Sequence, residues 1–198
     1  MPTDTAEIVR NLAAFYEFSG KSVVAVGAGG GQLIEYAQPA QHVIAVDKDR
    51  AAIARLSERV VVLGMAERFT FVTADFLSVA PRGDVVLFEF CLHQMDDPER
   101  ALDHASSLAP EVLVIDHAPP SRWEWYAAEE ARVEEGWKTA LRRTAKRRQS
   151  VEALQRFENF SELEARLALQ GPVSRERIET LRGQTSIRIP MPYWIALF

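Results

Sequence analysis

Short apolar runs alternate with amphipathic stretches along this chain, at spacings that predict strands and helices in turn. Val23, Val24 and Val26 make a β-branched run of the kind found in a strand buried on both faces of a parallel sheet. Before it, Ile8, Leu12, Phe15 and Tyr16 recur at helical spacing, and Thr3 or Asp4 can cap a helix reaching Phe18. After it, Gln32 to Ala37 reads as a short helix and His42 to Val46 as a second strand. Arg50 to Leu63 is helical, Phe69 to Ala74 is a third strand, and Asp84 to Phe90 is a fourth. Asp97-Pro98 opens a further helix, aspartate as cap and proline in the first turn, which runs to Leu108. Val112 to Ile115 is a fifth strand, ending at Asp116. Strand and helix thus alternate as a doubly wound α/β fold with a mostly parallel sheet requires.

Two stretches break the alternation. From Arg122 to Leu181 the pattern is polar and helical without a clear strand. That is far longer than a crossover needs, so a helical insertion after the fifth strand is expected to fold over the sheet as a lid. Inside it, Glu124, Glu129, Glu130, Glu134 and Glu135 precede Lys138, Arg142, Arg143, Lys146, Arg147 and Arg148. Acids at the start and bases at the end complement the dipole of one helix, so a solvated helix accounts for both runs. The last stretch, Thr185 to Pro190 and Tyr193 to Phe198, reads as a C-terminal antiparallel hairpin that brings the sheet to seven strands. Its two prolines belong at strand ends or on an edge.

Composition narrows the class. The 198 residues, 47% of them hydrophobic, suit one domain with a full core. A net charge of −5 argues against a general nucleic-acid binder, which needs a basic surface. Cys91 is the single cysteine, so no internal disulfide forms, as suits a reducing compartment. No apolar run reaches membrane-spanning length, and MPTDTAEIVR carries acids where a secretory signal carries a basic and then an apolar region. A cytoplasmic protein is expected.

The candidate chemistry lies between Ser22 and Asp47. Gly27, Gly29, Gly30 and Gly31 follow the first strand, where glycine permits a tight turn with exposed amides and lets a ligand approach the backbone. Asp47 ends the second strand 20 residues after Gly27, the separation at which an acid accepts hydrogen bonds from ribose hydroxyls. A dinucleotide fingerprint would place its last glycine at Gln32, which this chain does not. The tyrosine-lysine pair of a short-chain dehydrogenase is missing too, since Tyr16, Tyr36, Tyr126 and Tyr193 are followed four residues on by Gly20, Ala40, Glu130 and Leu197. A nicotinamide-dependent oxidoreductase is therefore the weaker reading.

Val26-Gly27-Ala28-Gly29-Gly30-Gly31, Asp47, Thr73-Ala74-Asp75-Phe76, Phe90-Cys91-Leu92-His93-Gln94-Met95 and the terminal strands together resemble class I S-adenosylmethionine-dependent methyltransferases. The resemblance implies that Gly27, Ala28, Gly29 and Gly31 lie against the methionine part of S-adenosylmethionine. It gives Asp47 the ribose hydroxyls, Lys48 the edge of the adenine pocket, Asp75 the adenine amino group and Phe76 the ring. Glu89, Phe90, Cys91 and Leu92 would line the methionine part, and S-adenosylhomocysteine would be the product. The family usually carries an acid two residues before the first glycine, where this chain has Ala25; Glu17 or backbone carbonyls are the available substitutes. A methyltransferase-like binding protein without catalysis is the second reading, because fold does not fix function.

Methyl transfer from a sulfonium is an in-line displacement that needs alignment and exclusion of water, and a base only when the nucleophile is protonated. His93 follows the fourth strand and His117 the fifth, at the sheet edge where ligands bind in such folds, so both are candidate bases. A packing or capping role is the alternative for each. The family's Asn- or Asp-Pro-Pro-aromatic motif for amide or base nitrogens is absent after the fourth strand, which points to a small-molecule acceptor and away from DNA. Asp116 and His117 lack further ligand spacing, so no metal is expected. Trp123, Trp125, Tyr126 and Trp137 either wall an acceptor pocket or pack the insertion on the sheet.

Overall fold

The computed structural model describes residues 5–198, so the Thr3 and Asp4 caps lie outside the described residues. Helix α1 spans Thr5–Phe15 and buries Ile8, Leu12 and Phe15 along one face. Tyr16 and Phe18, beyond its end, turn into the same core. The alternating elements then come in the expected order: β1 (Ser22–Val26), β2 (His42–Asp47), α2 (Arg50–Val62), β3 (Phe69–Thr73), β4 (Val85–Glu89), α3 (Pro98–Leu108) and β5 (Glu111–His117). Their starts are fixed locally. Asp49 accepts the Ala51 N–H at 2.8 Å to cap α2, and Asp97 accepts the Arg100 N–H at 2.9 Å to cap α3, with Pro98 next to it.

Beyond β5 the chain is not the helical insertion that its polarity predicts. Helices α4 (Arg122–Ala127) and α5 (Glu130–Leu141) are followed by two strands, β6 (Arg147–Val151) and β7 (Leu154–Asn159), and only then by α6 (Phe160–Leu167) and α7 (Pro172–Ile178). Strands β8 (Thr185–Pro190) and β9 (Tyr193–Leu197) close the chain. The seven-stranded sheet runs β3-β2-β1-β4-β5-β9-β6, its first five strands parallel and β9 antiparallel to both neighbours. The two terminal strands are antiparallel elements as expected, but not to each other. β9 pairs with β5 and β6, while β8 pairs with β7 in a separate two-stranded sheet. Met191 and Pro192 carry the chain from one sheet to the other instead of turning it back. Pro190 ends β8 and Pro192 lies between the strands, so neither removes a ladder donor from a central position.

The single charged helix expected over residues 124–148 is also three elements. Ala128, in the left-handed region at φ 60°, breaks it after α4, and the basic run ends on edge strand β6. Three of its cations are paired with neighbouring acids: Lys138 with Glu134 at 2.7 Å, Arg142 with Glu99 at 3.3 Å and Arg143 with Asp103 at 2.5 Å.

Two apolar layers enclose the main sheet. Val23 and Ala25 of β1 face α1 together with Phe157, Phe160, Leu163 and Leu167 of the smaller sheet and α6. Val24 and Val26 face the opposite layer with Phe88, Leu102 and Trp194. Each such buried valine or leucine contributes about 1.5–3 kcal/mol, enough for this alternation to hold the strand register. No helix among the described residues is long and apolar enough to cross a membrane.

Candidate active site

β1 leads outward to β2 and β3, and the chain then crosses to β4 on the other side of β1. In open α/β sheets the crevice at such a reversal, beyond the carboxyl ends of the strands, is where ligands bind. A cleft of about 660 Å³ lies there, bounded by Gly27–Gly30, Asp47, Asp75, Glu89, Phe90 and His117.

The glycine loop shapes its floor. Gly27 sits at φ +67°, and a Cβ there would come within 2.5 Å of the Cys91 Cβ and 2.6 Å of its Sγ. Only glycine lets the turn after β1 pass so close to the chain leaving β4. Gly31, also expected to contact cofactor, is not on the cleft wall. It is buried at φ +73°, where a Cβ would meet Leu56 at 2.6 Å, so its role is to seat the loop on α2. The helix expected over Gln32–Ala37 ends where predicted but starts two residues late and is a 3₁₀ turn, Ile34–Ala37, because Gly31 at φ +73° keeps Gln32 and Leu33 in the preceding turn. One loop amide is held by a side chain: Gly29 N–H donates to Asp47 Oδ2 at 3.1 Å, while Oδ1 of the same carboxylate accepts the Asp49 N–H of the turn after β2 at 2.9 Å.

Along the cleft, Lys48 and Asp75 are exposed, with Asp75 accepting the Leu77 N–H at 2.7 Å. Phe76, buried edge-on against Phe88, also lines the cleft. Cys91 donates to the Val26 carbonyl at 3.1 Å; burial, reinforced by the Asp116 charge, pushes its thiol well up, so it packs the loop as a neutral group. Phe90 adopts φ 49°, a left-handed conformation uncommon outside glycine, and its ring lies 4.8 Å from that of His117.

Glu89 is the buried acid of the cleft. In the sheet register Ala25 lies opposite Leu87, and Glu89, two residues on, emerges on the same face as Ala25. Tyr36 donates to it at 2.7 Å. Burial raises its carboxyl to about 7, against the lowering effect of the Tyr36 hydrogen bond and with a further push from Asp47. Glu17, the substitute considered for the acid missing at position 25, instead accepts the Ser19 N–H on an exposed turn.

The two histidines separate. His93 is buried and off the cleft wall, its ring Nδ1 2.6 Å from Asp116 Oδ1, and its N–H donates to Asp116 Oδ2 at 2.9 Å. Burial works to lower its pKa, but the Asp116 charge and hydrogen bond outweigh that and raise it; the same contacts hold Asp116 low against its own burial. His117 does line the cleft, and its Nδ1 is 2.9 Å from Oε1 of Glu124, in ion-pair contact but out of hydrogen-bond alignment. Glu124 is 1% exposed and neither of its oxygens makes a hydrogen bond. This pair was not evident in the sequence, where Glu124 was one of a run of solvated acids. Among the described residues no group of three or more His, Cys, Asp or Glu is placed to hold a metal ion.

Of the insertion's aromatic residues, Trp123 lines the cleft, stacked on Phe157. Trp137 packs on Trp194, and Trp125 packs on Tyr126 beneath Arg122 and Arg177. Arg166, Leu167, Leu169 and Gln170, at the end of α6, also line the cleft.

Residues 2–165 match the family model described as a methyltransferase domain. No curated protein gives a significant sequence match. In fold, the chain is similar to a candidate methyltransferase from Bacillus halodurans, at 13% identity and TM-score 0.71, over 98% of this chain and 97% of that one. It is similar to the YcgJ protein of Bacillus subtilis at 14% identity and TM-score 0.72, over 97% of each chain. Magnesium protoporphyrin IX methyltransferase from Synechocystis, solved with S-adenosylmethionine bound, superposes with TM-score 0.55 at 17% identity, over 97% of this chain and 77% of that one.

Proposed function

The chain belongs to the methyltransferase-domain family, and from that premise we propose that it transfers the methyl group of S-adenosylmethionine to a small molecule with a protic acceptor atom. One observation carries the reading: a single cleft joins the Gly27 cradle, the strand-end acids Asp47 and Asp75, and His117 backed by Glu124. A volume of about 660 Å³ suits a nucleoside cofactor with a small partner.

The donor set fits the cofactor. Asp47 accepts from the ribose hydroxyls, Asp75 from the adenine amino group, Lys48 and Phe76 border the ring, and Gly27, Ala28, Gly29, Phe90 and Cys91 line the methionine part. Glu89, on the face that Ala25 leaves without an acid, pairs with the α-ammonium. When bound, S-adenosylmethionine supplies an electrophilic methyl carbon on a sulfonium. Glu124 lies 2.9 Å from His117 Nδ1, which leaves Nε2 to take the acceptor's proton, and the buried carboxylate then stabilises the imidazolium. His93 is a positioning residue: it ties the segment after β4 to Asp116. Phe90 and Trp123 exclude water from the reacting atoms. The free buried thiol of Cys91 suits a reducing, cytoplasmic setting.

Calorimetric titration tests the cofactor, and a screen of small molecules for uptake of label from methyl-labelled S-adenosylmethionine tests the transfer. S-adenosylmethionine and S-adenosylhomocysteine should bind while NAD does not. Binding of NAD alone would overturn the reading.

A further inference from the structure

The wall of the cleft is acidic. Asp47, Asp49, Asp75, Asp96, Glu89 and Glu129 all face it, a field that disfavours any anionic ligand. Three cations stand among them: Lys48 beside Asp47, Arg55, which pairs with Asp49 at 3.7 Å, and Arg166, exposed at the end of α6.

Local sequence explains why this arginine is free. Glu162 precedes it by four residues, the favourable order for a helical ion pair. But Glu162 is already used at the start of α6: its Oε2 accepts the Glu158 N–H at 2.8 Å, while Asn159 accepts the Glu162 N–H at 3.1 Å in a reciprocal cap. Glu164, the other acid nearby, faces Arg182 at 3.9 Å. Two neighbouring arginines are paired, Arg177 with Glu130 at 2.8 Å and Arg182 with Glu179 at 2.6 Å. Arg166 makes no ion pair or hydrogen bond among the described residues, and three residues on, Leu169 stands 99% exposed on the same cleft rim. A free guanidinium beside a bare leucine is a surface for an amphipathic anion: the fork takes a carboxylate and the leucine covers the apolar body next to it.

Building on the methyltransferase reading, we propose that Arg166 and Leu169 form a subsite that reads a ligand carboxylate inside the cleft. That carboxylate belongs either to an apolar or aromatic acid serving as acceptor or to the methionine part of the cofactor. Calorimetry with the full chain and its Arg166→Gln and Leu169→Ala variants separates the sources. Both substitutions are on exposed positions, so the fold should survive.

The first arm titrates S-adenosylhomocysteine and 5′-methylthioadenosine, which lacks the amino-acid end. A loss of about tenfold or more in Arg166→Gln for the former only assigns the subsite to the cofactor. The second arm titrates 4-hydroxybenzoate and indole-3-acetate against their amides, with S-adenosylhomocysteine saturating. Acids preferred over amides in the parent chain, with the preference lost in Arg166→Gln and both ligands weakened in Leu169→Ala, assign it to the acceptor. If Arg166→Gln changes neither arm, or if acids bind no better than amides and S-adenosylhomocysteine binding is unaffected, the subsite does not exist. Failure of the parent chain to bind S-adenosylhomocysteine at all would instead sink the methyltransferase reading itself.

Discussion

Tyr36 donates a 2.7 Å hydrogen bond to Glu89, and the two side chains meet where the 3₁₀ turn after the glycine loop touches the end of β4. The pair places an ionisable acid with a pKa of about 7 on the wall of the cleft.

Its titration is measurable. Because the folded pKa is raised from 4.5 to about 7, the folded state holds the extra proton across that window, and stability falls as pH rises through it. Glu89→Gln removes the dependence. The melting temperature of the parent chain should drop relative to Glu89→Gln between pH 5 and pH 7.5, by differential scanning fluorimetry. In the same window S-adenosylhomocysteine should bind the parent more tightly as Glu89 ionises, and Glu89→Gln should show a flat profile. Parallel profiles for the two proteins would remove Glu89 from the cofactor site.

Asp47 both pins the glycine loop and faces the cleft. Asp47→Ala should weaken S-adenosylhomocysteine by about tenfold or more, since hydrogen bonds to a charged acceptor are worth about 1.5–3 kcal/mol. Asp47→Asn should lose less. Calorimetry on folded variants decides it, and equal affinity for Asp47→Ala and the parent would exclude the ribose role.

The two histidines should behave differently. His117→Gln should lower kcat by about 100-fold or more, within the usual range for a general base, and leave S-adenosylhomocysteine affinity unchanged. Glu124→Gln should do the same more weakly. His93→Ala strands the buried Asp116 charge and should cost about 3–5 kcal/mol in urea unfolding. The His93–Asp116 pair stabilises the fold between Asp116's lowered pKa and His93's raised one; its contribution is lost as pH falls through the first or rises through the second. Comparable stability losses with comparable activity for His117→Gln and His93→Ala would refute the division.

Gly31→Ala tests the loop's seat. With φ at +73° and Leu56 at 2.6 Å from the added Cβ, the variant should lose roughly 1–3 kcal/mol of stability. Cofactor affinity should fall less than in Asp47→Ala. A variant as stable as the parent in urea would show that the loop has room to shift.

Trp123 should report ligand, because it alone of the insertion's three tryptophans lines the cleft. Trp123→Phe should abolish the fluorescence change on S-adenosylhomocysteine binding. Trp137→Phe and Trp125→Phe should leave it intact, their rings being committed to Trp194 and to Tyr126. A signal that survives in Trp123→Phe would show that binding moves the outer layer as well.

The parallel half of the fold was legible because β1, β2, β4 and β5 each carry a run of consecutive, mostly buried apolar residues, because β3 alternates aromatic and β-branched residues, and because Asp49 and Asp97 mark helix starts. β6 was not, for a physical reason: Arg147, Arg148, Gln149 and Ser150 are all exposed on the sheet's outer edge, so pairing with β9 fixes the strand without any apolar pattern. Missing β6 and β7 left β8 and β9 with no partner but each other, which made a hairpin the natural reading. At the cleft, Asp47, Glu89 and His117 could be found from their positions at strand ends. Glu124 could not, since only the fold of α4 over β5 turns a charged helical residue into a buried partner of His117.

The order of the sheet carries a consequence for how the chain is made. β9, latest of the strands in chain order, is seated between β5 and β6, which are both synthesised before it. Until it arrives, the Leu113–His117 edge of β5 stands unpaired, and β6 has no strand on which to dock. A nascent chain on the ribosome therefore offers an apolar strand edge to its neighbours from the completion of β5 onward, a hazard that only the insertion of Tyr193–Leu197 ends.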